Sequence, residues 1–330
     1  MSKKFFIILY VVLNLWFPTT ILANEDVYLG GESVGIEVMY PGVVVSDTYS
    51  FQIGDKHYDP STYIHKFDII IEVNNVKVQT IQQLQQQLQN YTDNKVNEIP
   101  IVVLRNQKKI QTKILYQYDP STLTYKHGLY LKDRLNGIGT LTFIEPNSMR
   151  YGCLGHEIMD PDTKSRAEID TGTIYDSSIT SITKATPSTA GQKHASIDYQ
   201  NILGSIDTNT PYGIFGTYGN DVSNKEKIEL ANINDIHKGK ASICTVLSNQ
   251  HVETYEIDII TINTHSKTKN LVFTITDKTL LNKTNGIIQG MSGSPIIQDG
   301  KLVGAVTHVV VNEPSRGFGI FIEHMMEVNE

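Results

Sequence analysis

Apolar and polar positions over residues 25–118 follow two different periods. Val43-Val44-Val45 and Ile69-Ile70-Ile71-Glu72-Val73 are β-branched runs that predict strands. Asn74-Asn75 predicts a hairpin turn into Val76-Lys77-Val78. After Thr80, which suits a helix cap, Ile81, Leu84, Leu88 and Tyr91 recur at helical spacing, and the glutamines between them form the solvated face. Ile101 to Leu104, a turn at Asn106-Gln107 and Ile110 to Leu115 predict a closing hairpin. Residues 25–118 therefore predict a small α/β domain, and Asp119-Pro120-Ser121 reads as a linker. From 128 to 330 short apolar runs, frequent glycines and turn signals such as Asn136-Gly137 and Tyr212-Gly213 replace helical periodicity. That pattern predicts an all-β barrel or sandwich, so the chain as a whole is expected to be mainly β.

The N-terminus stands apart. Lys3 and Lys4 precede an apolar run from Phe5 to Phe17, and Ala23 offers a cleavage position. Residues 1–24 predict a signal peptide or an N-terminal membrane anchor, since residues 5–22 are long enough to span a bilayer. The charge order puts the N-terminus in the cytoplasm and the remainder outside. A net charge of −7 without a long basic run argues against a nucleic-acid partner. Cys153 and Cys244 are too few to make a disulfide scaffold. No CxxC or His-rich spacing appears, so neither a metal nor another cofactor is expected.

Candidate chemistry concentrates in Gly290-Met291-Ser292-Gly293-Ser294-Pro295. The glycines let the backbone bend sharply and approach a substrate closely. Amides of Gly290 and Ser292 are placed to converge on the oxyanion formed when a serine attacks a carbonyl. The plain alternative is a Gly/Ser loop between strands. Pro295-Ile296-Ile297, a turn at Asp299-Gly300 and a return strand from Leu302 to Val311 supply context for the motif. A loop, strand and hairpin in this order resemble the way a chymotrypsin-like double β-barrel presents its serine. Ser294 is the rival nucleophile.

A serine hydroxyl needs a base, and two of the ten histidines stand out. His308 lies in an alternating strand where a half-buried sheet histidine is the simpler reading. His156 follows a strand and a loop, with Gly155 granting freedom just before it, and sits where a first barrel would supply the base. Cys153, three residues earlier, offers a Cys/His alternative, although a buried structural cysteine is the commoner case. His-Glu-Ile-Met-Asp at 156–160 lacks the second histidine of a zinc-protease helix. For the carboxylate that orients the imidazole, Asp277, fifteen residues before Ser292, competes with Asp160 and Asp162. An α/β-hydrolase reading fails for want of the Gly-x-Ser-x-Gly elbow.

Two resemblances sharpen these expectations. Phe67-Asp68-Ile69-Ile70-Ile71-Glu72-Val73-Asn74 ahead of a helix resembles a PDZ domain, with Phe67 and Asn75 where glycines are usual. Such a domain binds an extended peptide at a sheet edge. Leu154-Gly155-His156, Ile202 to Ile206, Pro211 to Gly216, Gln289 to Pro295 and Gly304 to Val309 resemble the stage IV sporulation protein B family of serine peptidases. The similarity runs over nearly the whole chain. It implies a PDZ-like domain at 25–118, a serine endopeptidase domain at 119–330 and a catalytic triad of His156, Asp277 and Ser292. Gly290 and Ser292 would form the oxyanion hole.

The resemblance also implies sporulation signalling after export across the forespore membrane to the intermembrane space. There a regulatory membrane protein, and the chain itself, would be cut, triggering intramembrane activation of a late sigma factor. Glu157, Cys153 and Asn285 depart from the family pattern, and the competing reading is an inactive scaffold that binds membrane-protein tails. Met291 cannot accept the N-terminal ion pair that activates trypsin-like zymogens, so any activation works differently.

Overall fold

The computed structural model describes residues 26–91, 98–310 and 312–328. The expected leader at 1–24 and the end of the expected strand at Val311 lie outside the described residues. Strand makes up 57% of the chain and helix 9%, with a closed six-stranded barrel and further strands, as in a chymotrypsin-like double barrel. Three apolar cores separate the chain. One lies under residues 43–129, one gathers Val34, Ile36, Leu141, Tyr151 and Ile214, and one gathers Ile243, Ile257, Phe273, Met291 and Ile296. A fourth cluster, with Val27, Phe143, Phe215, Leu302 and Ile320, joins strands of the last two.

Local signals explain the hairpins. Asn74 and Asn75 both take positive φ (47° and 65°), as do Asn106 and Gln107 (50° and 64°) and Asp299 and Gly300 (51° and 77°). Two successive left-handed residues make the tight turn whose twist matches that of the flanking strands. Helix α1 (Ile81–Gln89) begins on a capping box between Thr80 and Gln83 and buries Leu84 and Leu88. Its sheet consists of Ile69–Val73, Glu98–Arg105 and Lys108–Leu115. Beside it, the fully buried Asp68 receives Arg105 at 2.7 Å (Nε) and 2.6 Å (Nη2) and the His65 amide at 2.8 Å.

The strand Ser33–Thr48 connects the parts of the molecule. Its first half pairs with Thr171–Thr183 (Val34 opposite Asp176, Met39 opposite Thr171). Its second half pairs with Ile69–Val73 through Val43 and Val44. Leu129–Ile144 runs antiparallel to nearly its whole length. Ahead of it, Asp26–Leu29 pairs with Leu129–Ile144 and with Lys227–Leu230, which in turn lies parallel to Lys301–Val310. Residues 26–39 thus lie within the sheet of the C-terminal strands, and the small α/β module is carried between two long strands of that sheet. The residues read as a linker form a hairpin turn, with Gln117–Asp119 paired to Thr124–Lys126. Asp119 closes it on the Ser121 amide at 2.9 Å and on Lys126.

Two short helices interrupt the C-terminal strands. Helix α2 (Lys278–Thr284) is capped at its N-terminus by Asp277 and ends on Asn285 in the left-handed region (φ 58°). That C-terminal position favours glycine, and asparagine is the side chain that tolerates it best. Helix α3 (Ile322–Met326) buries Ile322 and Met325 in the fourth cluster.

Asp68→Ala strands the Arg105 guanidinium in the module with no carboxylate partner. Because that guanidinium is partly exposed, the loss is mainly of the hydrogen bonds to Asp68, and unfolding free energy should fall by about 1–2 kcal/mol in urea denaturation of the full chain.

Candidate active site

The loop around Ser292 is fastened to both neighbouring barrels. Thr140 donates its backbone N–H to Ser292 O (2.9 Å) and its hydroxyl to Gly290 O (2.8 Å). Thr142 Oγ1 donates to Gly293 O (2.8 Å). On the other side Gly293 N donates to Val306 O (2.7 Å) and Val306 N to Ser294 O (2.9 Å). Gly290 and Gly293 take φ of 92° and 90°, values that side chains resist. A Cβ on Gly293 would also lie 2.1 Å from Thr140 O and 2.5 Å from Leu154 N. Glycine is obligatory there because two backbones meet.

The same contact delivers the histidine. Leu154 and Gly155 are consecutive left-handed residues (φ 71° and 69°), and they turn the chain out of the Arg150–Cys153 strand. Asn209 clamps the outgoing loop by accepting from Ile158 N (2.8 Å) and donating to Ile158 O and Ala167 O (3.1 Å each). His156 and Ser292 both line one cleft of about 750 Å³, together with His308 and Lys193. Much of its wall is apolar, supplied by Ile36, Val38, Leu135, Ile158, Ile287 and Val309.

His156 Nδ1 bonds Glu157 O at 2.8 Å. A carbonyl can only accept, so Nδ1 carries the proton and Nε2 keeps its lone pair. Burial lowers the pKa of this imidazole, and the backbone bond and the charge of Glu157 only partly offset that. The His308 ring lies 4.8 Å from the His156 ring, centroid to centroid. Lost hydration, then repulsion by His156 and Lys269, push His308 down to about 4 against the opposing pull of Glu157. Both rings are therefore neutral near pH 7.

Ser292 Oγ donates to Thr307 O at 2.9 Å, so the hydroxyl rests on the neighbouring strand. Ser294, the rival, is 0% exposed, and its hydroxyl has no partner among the described residues. A substrate carbonyl cannot reach it without opening the core. Met291 N donates to Ile288 O (3.1 Å) and Gly293 N to Val306 O. Among the described residues the amides of Gly290 and Ser292 have no hydrogen-bond partner. Two donors two residues apart, one of them the serine's own amide, are thus left without an acceptor among the described residues.

Asp277 is placed elsewhere. Its carboxylate accepts from Leu280 N at 2.8 Å as the cap of α2, its own amide donates to Glu256 O, and it is not among the residues lining the cleft. In this arrangement the Glu157 carbonyl, and no carboxylate, holds the imidazole. Asp160 binds Lys132 at 2.9 Å and the Tyr40 hydroxyl, and Asp162 also pairs with Lys132, so these two carboxylates anchor the loop after His156. Cys153 is buried and donates to Thr140 O (2.9 Å). Burial pushes its thiol pKa up, away from the thiolate a nucleophile needs. Both cysteines are free.

Sequence reasoning set His308 aside and passed over Lys193. The signal for His308 was its alternating strand directly after the serine hairpin, which returns one face to the serine. Lys193 gave no signal, because a lysine beside Gly191-Gln192 looks like an exposed turn. Among the described residues no group of three or more His, Cys, Asp or Glu is arranged to hold a metal ion. No described helix is long and apolar enough to cross a membrane.

Histidine titration followed by NMR should show His156 and His308 both with pKa values below the ordinary 6.5. An ordinary value for His156 would contradict the burial described here.

Comparison with protein families matches residues 123–326 to SpoIVB peptidase S55. A search of curated proteins returns no match.

Proposed function

The chain belongs to the SpoIVB peptidase S55 family and is a serine peptidase, and on that premise we propose that Ser292 and His156 carry the reaction in the cleft they share. His156 Nε2, left unprotonated by the Nδ1 bond to Glu157 O, takes the proton of Ser292 Oγ. The hydroxyl leaves Thr307 O, and Oγ bonds to the scissile carbon as the carbonyl π electrons move to oxygen. The resulting oxyanion is held by the free amides of Gly290 and Ser292. Collapse breaks the C–N bond, and His156 returns the proton to the departing amine. Water then repeats the sequence on the acyl-serine. The single observation that supports this most is the pair of unpartnered amides beside a serine and a neutral imidazole lining the same cleft.

Asp277 is proposed as the third member, on the family resemblance and on its place at the end of Leu271–Ile275, fifteen residues before Ser292. In the arrangement seen, that role requires Asp277 to give up the cap of α2 for the imidazole. Apolar walls of the cleft favour a peptide with apolar side chains around the cut. The substrate proposed is a regulatory membrane protein in sporulation signalling, met outside the cytoplasm, with the chain's own N-terminal region as a second.

The small module is proposed to be PDZ-like. Phe67 takes φ 72°, so it adopts the backbone that the usual glycine would supply. Helix α1 is fixed to the long strand of the barrel, because Ile81 N donates to Asp133 Oδ2 at 2.8 Å. A peptide bound to the module would therefore pull on Leu129–Ile144, the strand whose Thr140 holds Ser292.

A fluorophosphonate should label the purified chain, and Ser292→Ala should abolish both labelling and hydrolysis of casein. Labelling that survives Ser292→Ala would refute the assignment of Ser292, and a parent chain that takes no label would favour the inactive-scaffold reading. Asp277→Asn keeps a capping side chain of nearly equal strength. It should leave the melting temperature unchanged but cut casein hydrolysis about a hundredfold or more. Unchanged hydrolysis would leave Glu157 O as the sole group orienting His156.

A further inference from the structure

Lys193 is 1% exposed, and among the described residues it forms no ion pair. It is the second residue of the strand Gln192–Ile206 beside the serine loop. Gln192 and Gln289 form a parallel bridge, with Lys193 N donating to Gln289 O at 3.0 Å and Gln289 N to Gly191 O at 2.8 Å. The next residue in the loop is Gly290. A Cβ there would lie 3.1 to 3.3 Å from Lys193 Cδ, Cβ and Cγ, so the lysine stem covers the Cα of Gly290 along its length. At its far end Nζ donates to Thr245 Oγ1 at 2.8 Å, and Thr245 is itself 0% exposed.

We infer that Lys193 is a positioning residue for the oxyanion-binding turn: its stem braces Gly290, and its amine pins that stem to Thr245. The inference rests on the serine-peptidase reading above. Gly290 has no side chain to set its own orientation, and its φ of 92° lies where the backbone is freely adjustable. Its carbonyl is held by Thr140 Oγ1. The lysine stem is the packing that fixes the peptide from the other direction, so the amide keeps its aim at the oxyanion before substrate arrives. An apolar residue would fill the space without burying an amine, which is costly. The cost is visible in the amine itself, since burial pushes Lys193 down to about 7. What the amine adds over a methyl group is a fixed far end, because a hydrogen bond to a buried hydroxyl allows one stem conformation where a methionine would sample several.

The test is the rate of fluorophosphonate labelling of the full chain, since the phosphonyl oxygen occupies the same two amides. Removal of an oxyanion donor costs roughly a hundred- to a thousandfold, and a misdirected donor should cost part of that. Lys193→Ala should slow labelling about tenfold or more and lower kcat on casein with KM within about twofold. Lys193→Met, which keeps the stem, should recover to within about threefold of the parent rate. Thr245→Val, which removes only the anchor, should fall between them, with a lowered melting temperature because the buried amine loses its acceptor.

A Lys193→Ala protein labelled at the parent rate would overturn the inference, and so would equal losses in the alanine and methionine variants. Should Lys193→Ala fail to fold, Thr245→Val labelled at the parent rate overturns it instead. A parent chain that takes no label, or takes it equally with Ser292→Ala, fails the serine-peptidase reading itself. An active parent with unchanged Lys193 and Thr245 variants fails this inference alone.

Discussion

Close backbone contact between Gly139–Phe143 and the serine loop is the constraint on which the site depends. Thr140 and Thr142 make three hydrogen bonds to the backbone of Gly290, Ser292 and Gly293. Gly293 makes that approach sterically feasible, since any Cβ would collide with Thr140 O and Leu154 N. Because Leu154 is one of the colliding partners, the histidine loop and the serine loop are held against the same point. The relative placement of His156 and Ser292 is therefore set where two backbones meet, with the threonine hydroxyls tying them together.

Electrostatics in the cleft follow from burial more than from charge pairing. His156 has Glu157 as its sequence neighbour, yet lost hydration outweighs that carboxylate and the ring stays neutral. His308 and Lys193 shift the same way for the same first reason. A cleft that disfavours cations keeps bases free to accept protons, as proton abstraction from a hydroxyl requires. The Nδ1 bond to a backbone carbonyl then selects the tautomer with no charged partner in place.

Much of this was legible in the chain where the signal was local. The asparagine turns, the Thr80 cap and the glutamine-faced helix each depend on a few adjacent residues, and each appears as the pattern predicts. The serine hexapeptide announces its backbone requirement through its glycines, and Ser292 is the accessible hydroxyl of the two. Features set by distant partners were not legible. Nothing in Val34 to Met39 says that these residues pair with Thr171–Thr183, and nothing in Asp119-Pro120-Ser121 separates a hairpin turn from a linker. Lys193 is buried only because residues near 245 and 290 close over it, which no window around position 193 contains. The place of His308 in the cleft was not legible for a related reason: alternation shows that one face is covered but does not say by what.

The pairing of Tyr28 with Ile144 and of Val27 with Ile228 has a consequence for how the molecule comes into being. The strand Asp26–Leu29 leaves the ribosome more than a hundred residues before the partners that will shelter it, so it must wait unpaired while the α/β module forms behind it. Closing such long loops is slow and exposes sticky edges in the interim. The cleft lined by His156 and Ser292 also takes wall residues from 287 to 309, so its two sides meet only after the intervening strands have been made.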